Sequence, residues 1–216
     1  MRLQAESKKR GMTSRTRCDE TVNLEEHGIY ARYRDSTFEN LAETMPATQK
    51  EAYDECRTYA ENFAEHKKNG VGMILKGTVG TGKTSLAVAV LREVIQRYGG
   101  GYFIPMVSLM DRLLSMSKGD RDEFERFEKR IRSTPLLVLD DLGAEHESSW
   151  VRTKIDAIIT ERHNRLLPVI ITTNLKANEI LEGYRERVYD RLKNSSIVVN
   201  FTGASMRSAP KKEKRT

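Results

Sequence analysis

At 216 residues, with 38% hydrophobic and 31% charged side chains, the chain has the length and apolar content for one ordinary domain with a sizeable core. It has no apolar run of roughly 18 residues that would span a membrane. Its basic N-terminus, MRLQAESKKRGMTSRTR, lacks the apolar stretch of a secretory signal, so a cytoplasmic protein with no membrane partner is expected. The formal charge of +6 is uneven: residues 1–17 carry a net +5 and 207–216 a net +4, which leaves 18–206 at about −3. Basic ends of this kind either sit in solvent or contact nucleic-acid phosphates. Cys18 and Cys56 belong to no CxxC pair, and His27 and His66 stand at no recognised ligand spacing from them. No zinc site is expected, and Cys56 is expected in the core.

Residues 1–35 are polar and without periodicity, an arm with at most short helices. Thr48 with Glu51 reads as a capping box opening a helix whose apolar face is Ala52, Cys56, Tyr59, Ala60 and Phe63. The cations Lys67 and Lys68 followed by Gly70 are its expected stop. Val71–Lys76 is then a short apolar strand, followed by a glycine-rich turn and a helix from Lys83 to about Tyr98. Tyr102–Val107 is a second strand, after which Ser108 caps a helix through Met116. Residues 119–132 form an amphipathic helix with Phe124, Phe127 and Ile131 on one side. Leu136–Asp140 is a third strand, 149–165 a helix with Val151, Ile155, Ile158 and Ile159 inward, and Val169–Thr173 a fourth strand. Short helices at about 176–182 and 184–193 precede a fifth strand, Ser196–Phe201. Strands alternating with helices need crossover connections, hence an α/β three-layer domain with a five-stranded parallel sheet covered on both faces.

The turn after the first strand, Gly77-Thr78-Val79-Gly80-Thr81-Gly82-Lys83-Thr84, fits G-x-x-x-x-G-K-[ST]. Glycines there let backbone N–H groups turn inward on phosphate oxygens, and the following helix adds its positive end. In that reading Lys83 reaches the β- and γ-phosphates of ATP and the Thr84 hydroxyl ligates Mg²⁺. The apolar strand Leu136-Leu137-Val138-Leu139 ends in Asp140 and Asp141, carboxylates delivered to the same edge of the sheet. Asp140 is placed to hold Mg²⁺ through water and Asp141 to polarise the attacking water. Ile170-Ile171-Thr172-Thr173-Asn174 ends at that edge too, with Asn174 able to bond both the water and the γ-phosphate. Arg187, Arg191 and Arg207 come late in the chain, and an Arg over the γ-phosphate stabilises charge in the transition state.

Taken together, these residues resemble the AAA+ ATPases of the DnaC/DnaI helicase-loader family and its IstB-type transposition relatives. The resemblance covers about residues 31–207 and is carried by Tyr33-Arg34-Asp35-Ser36-Thr37-Phe38-Glu39-Asn40, the GTVGTGKT loop, LLVLDDLG, ITTN and Glu186-Arg187-Val188-Tyr189-Asp190-Arg191-Leu192. It implies an AAA+ (ASCE) P-loop ATPase domain over 36–207, which the charge pattern flanks with a basic arm over 1–35 and a basic tail over 208–216; with only that tail after Arg207, no full lid domain is expected. It further implies that Asn174 is sensor 1, Arg191 the arginine finger and Arg207 a sensor 2 candidate, and that Phe38 can reach the adenine unless it plugs the sheet. Members bind ATP, form spiral oligomers, contact single-stranded DNA and place a replicative hexameric helicase on it. An IstB-like regulator of a transposase is the alternative. A small-molecule kinase would need a substrate pocket and a lid, and a non-hydrolysing scaffold would be suspected were Asp140 or Asp141 missing.

Overall fold

The computed structural model describes residues 23–116, 120–143, 149–175 and 186–206. The five expected strands are β1 (Gly72–Gly77), β2 (Tyr102–Pro105), β3 (Leu137–Leu142), β4 (Val169–Thr173) and β5 (Ser196–Phe201). They form one parallel sheet in the order β2-β3-β4-β1-β5. The chain leaves β1 for β2 at the far edge and later returns to set β5 on β1's other side. The ends of β1, β3 and β4 thus flank the point where strand order reverses, the usual place for a ligand crevice.

Helices cover both faces. α1 (Phe38–Thr44), α2 (Lys50–Glu61), α3 (Phe63–Asn69) and α4 (Lys83–Tyr98) lie on one side. There Phe38, Cys56, Phe63 and Leu91 pack with Met73, Leu75, Val138, Ile170 and Val199 of the sheet. On the other face are α5 (Met106–Met116), α6 (Arg121–Ser133), α7 (Ser149–Asn164) and α8 (Glu186–Asn194). Their Leu113, Phe127, Ile131, Ile158 and Leu192 meet Ile104, Leu137, Leu139 and Ile171. Successive residues of β3 and β4 enter opposite cores, the period of two that a doubly covered strand requires.

Several expectations need correction. The helix expected from Thr48 is two pieces: a 3-10 turn over Ala47–Gln49 leads into α2, and Asn62 separates α2 from α3. Thr48 makes no capping bond to α2, whose N-cap is Gln49, whereas Gly70 closes α3 in the left-handed conformation as the sequence suggests. Ser108 lies inside α5 rather than capping it, because β2 ends at Pro105. β5 is not covered on both faces: Ile197 and Val198 remain 37% and 44% exposed. The short helix expected at 176–182 lies outside the described residues. Residues 24–35 belong to the folded body, since Ile29 is buried in the α4-side core and the Phe103 N–H of β2 donates to the His27 carbonyl at 2.8 Å. Cys56 is fully buried, and desolvation pushes its thiol well above the ordinary range, so it is an inert core residue.

Candidate nucleotide site

The loop between β1 and α4 has two glycines, Gly80 and Gly82, with φ of +83° and +93°. Side chains rarely adopt that region, so these positions demand glycine whatever else surrounds them. Within the loop, Thr81 donates to the Thr78 carbonyl at 2.8 Å. The Lys83 ammonium donates to the carbonyls of Gly77 and Thr78, each at 2.8 Å, which holds it across the loop at the head of α4. The Met206 N–H, beyond the end of β5, donates to the Gly80 carbonyl at 2.7 Å and closes the loop from above.

A cleft of about 410 Å³ opens over this loop. Val79, Gly80, Thr81, Gly82, Lys83 and Thr84 line it from below, and Asp140, Asp141, Thr172 and Asn174 from the ends of β3 and β4. Gly77 and Thr78 do not line it and act through their carbonyls on Lys83. Asp140 is only 7% exposed, and burial pushes its carboxyl above the usual carboxylate range. Hydrogen bonds from Thr172, at 2.6 Å, and from Thr84 oppose that shift. Asp141 is exposed to the cleft and takes a positive φ of 61°. Thr84 and Asp140 together are an all-oxygen donor pair beside the loop, which fits a hard divalent cation such as Mg²⁺.

Arg191 is not in the cleft. Its Nη1 donates to Thr160 Oγ1 at 2.7 Å and faces Asp156 Oδ1 at 3.7 Å, so α7 holds it on another part of the surface. Arg207 lies outside the described residues. Phe38 packs edge-on against Tyr53 at 5.6 Å in the core and does not line the cleft. The opposite wall is instead made by Arg32, Tyr33, Leu41, Thr44 and Met206. Sequence reasoning passed over these. Tyr33 falls inside the block that carries the family resemblance, which is the one signal that points to this wall.

A parallel β2-β3-β4-β1-β5 sheet with a glycine loop, two carboxylates and an asparagine in one crevice defines an ATP-binding P-loop protein of the AAA+ class. The sequence model of the IstB-like ATP binding proteins matches residues 36–214, and the chain belongs to that family. The replicative helicase loader DnaC of Escherichia coli (strain K12) is 28% identical over 182 residues, 84% of this chain and 73% of that protein. The replicative helicase loader DnaI of Bacillus subtilis (strain 168) is 30% identical over 112 residues, 51% of this chain and 35% of that protein. Among solved structures, the crystal structure of the DnaC helicase loader superposes with a TM-score of 0.70 at 30% identity, covering 80% of this chain and all of that one. The replication initiator DnaA bound to AMPPCP and single-stranded DNA, at 20% identity and a TM-score of 0.67, shares the fold over 82% of this chain and 52% of its own.

Proposed function

We propose that this chain is a Mg²⁺-dependent ATPase of DNA replication that loads or remodels a replicative hexameric helicase on single-stranded DNA. It acts in the cytoplasm as an ATP-dependent oligomer. The observation that carries the catalytic half is the meeting of Thr84, Asp140, Asp141 and Asn174 in one cleft with the phosphate-binding loop. The partner half rests on the similarity to helicase loaders over most of the chain. Among the described residues no helix is long and apolar enough to cross a membrane, in keeping with that setting.

Each group in the cleft has a task that suits its chemistry. The loop N–H groups and Lys83 bind the phosphates, with the start of α4 adding its positive end. Thr84 and Asp140 would hold Mg²⁺, which supplies charge neutralisation on the phosphate oxygens when bound. Asp141 polarises the attacking water, and Asn174 orients that water against the terminal phosphate. Arg191 serves a neighbouring subunit's nucleotide, and Arg207 contacts the phosphates of its own. The basic residues of 1–17 and 208–216 contribute contacts to DNA phosphates.

The test is capture of partners from host extract on the full chain, with and without ATP, alongside measured ATP hydrolysis. ATP-dependent retention of a hexameric helicase supports the reading. Retention of a transposase in its place moves the chain to the transposition branch, and absence of hydrolysis under any condition removes the ATPase role.

A further inference from the structure

The register between β3 and β4 breaks at the two carboxylates. Leu139 pairs with Ile171 and the next pair is Leu142 with Thr173, so Asp140 and Asp141 together oppose the single residue Thr172. This is a β-bulge, with Asp141 in the left-handed region. In a regular strand, consecutive side chains point to opposite faces, and Asp140 and Asp141 would be separated by the sheet. The extra residue removes that alternation, and both carboxylates line the same cleft.

The hydroxyl of Thr172 spans the bulge. It donates to Asp140 Oδ1 at 2.6 Å and accepts from the Asp141 N–H at 2.9 Å, and the side chain is buried. One oxygen therefore orients the first carboxylate and satisfies the backbone N–H that the bulge takes out of the ladder. We propose that Thr172 is a positioning residue for ATP hydrolysis, fixing the bulge that puts Asp140 and Asp141 in one cleft. The proposal rests on the ATPase reading above. It also couples the two carboxylates to Asn174, because Thr172 and Asn174 lie on the same short stretch at the end of β4.

Thr172→Val keeps the shape and strand preference of the side chain and removes the hydroxyl. It should lower kcat at least about tenfold while ATP affinity stays within about twofold, since the phosphate-binding loop is untouched. Thr172→Ser, which keeps the hydroxyl, should stay within about threefold of the parent. The discriminating measurement is a cycle with Asp141→Asn. If Thr172 acts by positioning the two carboxylates, adding Thr172→Val to that variant lowers kcat by much less than it does in the parent, whereas a general loss of packing would multiply the two effects. Circular dichroism and thermal melting establish that each variant is folded. Where Thr172→Val does not fold, the serine variant carries the test, and a drop in its kcat as large as that of Asp141→Asn overturns the role of the hydroxyl. A folded Thr172→Val at parental kcat, or fully multiplicative effects in the cycle, also overturns it. A parent that hydrolyses no ATP instead overturns the ATPase reading beneath it.

Discussion

Arg191 donates to Thr160 at 2.7 Å from the last turn of α8, with Asp156 at 3.7 Å behind, and its side chain remains 27% exposed. The pair is outside the nucleotide cleft, so a subunit's own Arg191 does not take part in its own site as folded here. With Arg191 as a finger for a neighbour, turnover depends on assembly. Lys83→Ala subunits mixed with Arg191→Ala subunits should recover part of the hydrolysis that each lacks alone, and parental specific activity should rise with protein concentration. A mixture no more active than its parts, with a parent indifferent to concentration, would make each subunit self-sufficient.

Lys83 is held in the cleft by the carbonyls of Gly77 and Thr78. Lys83→Ala removes the ammonium from the phosphate side of the loop and should weaken ATP binding at least about tenfold, or about 1.4 kcal/mol. Titration with a fluorescent nucleotide analogue reads this directly. Unchanged affinity would move the nucleotide away from this loop.

Asp141→Asn retains the size of the side chain and leaves Asp140 in place, so nucleotide binding should be preserved while hydrolysis slows about a hundredfold or more. Single-turnover kinetics with bound ATP separate the two. Parental turnover in this variant would remove Asp141 as the group that polarises water.

Arg162 has no solvent exposure and donates from Nη1 to the Ile131 carbonyl at 2.9 Å and from Nη2 to those of Thr134 and Pro168 at 2.9 and 2.8 Å. It fastens the end of α6 to the turn between α7 and β4. Arg162→Met would take this donor from the carbonyls of Ile131 and Thr134, while that of Pro168 keeps the Leu137 N–H, and should destabilise the fold by about 2–4 kcal/mol. Urea denaturation measures the loss, and a change under about 1 kcal/mol would show that water replaces the guanidinium without penalty.

Much of this architecture is legible in the sequence because its signals are local. Val138 and Leu139 sit in an apolar run that only a doubly covered strand can bury, and the loop from Gly77 to Thr84 has a spacing set by phosphate geometry. What escapes is set by tertiary context. Arg162 is one arginine among 37 basic residues and reads as a surface charge, yet the three carbonyls it meets come from two segments distant in sequence, the end of α6 and the turn before β4. Thr172 reads as an ordinary strand residue, because a bulge is a relation between two strands and leaves no periodicity in either. Residues 24–35 lack an amphipathic pattern because they pack as turns against the β2 edge, so Ile29 and Tyr33 carry their contribution singly.

The bond from the Met206 N–H to the Gly80 carbonyl joins the segment that follows β5 to the loop that follows β1. β1 and β5 are neighbours in the sheet, and the residues leaving each of them meet again over the nucleotide cleft. The segment that follows β5 is thus also part of the cleft wall, through Met206. A shift of residues 202–206 is transmitted to the loop through this short backbone contact, and a change in the loop displaces those residues in turn.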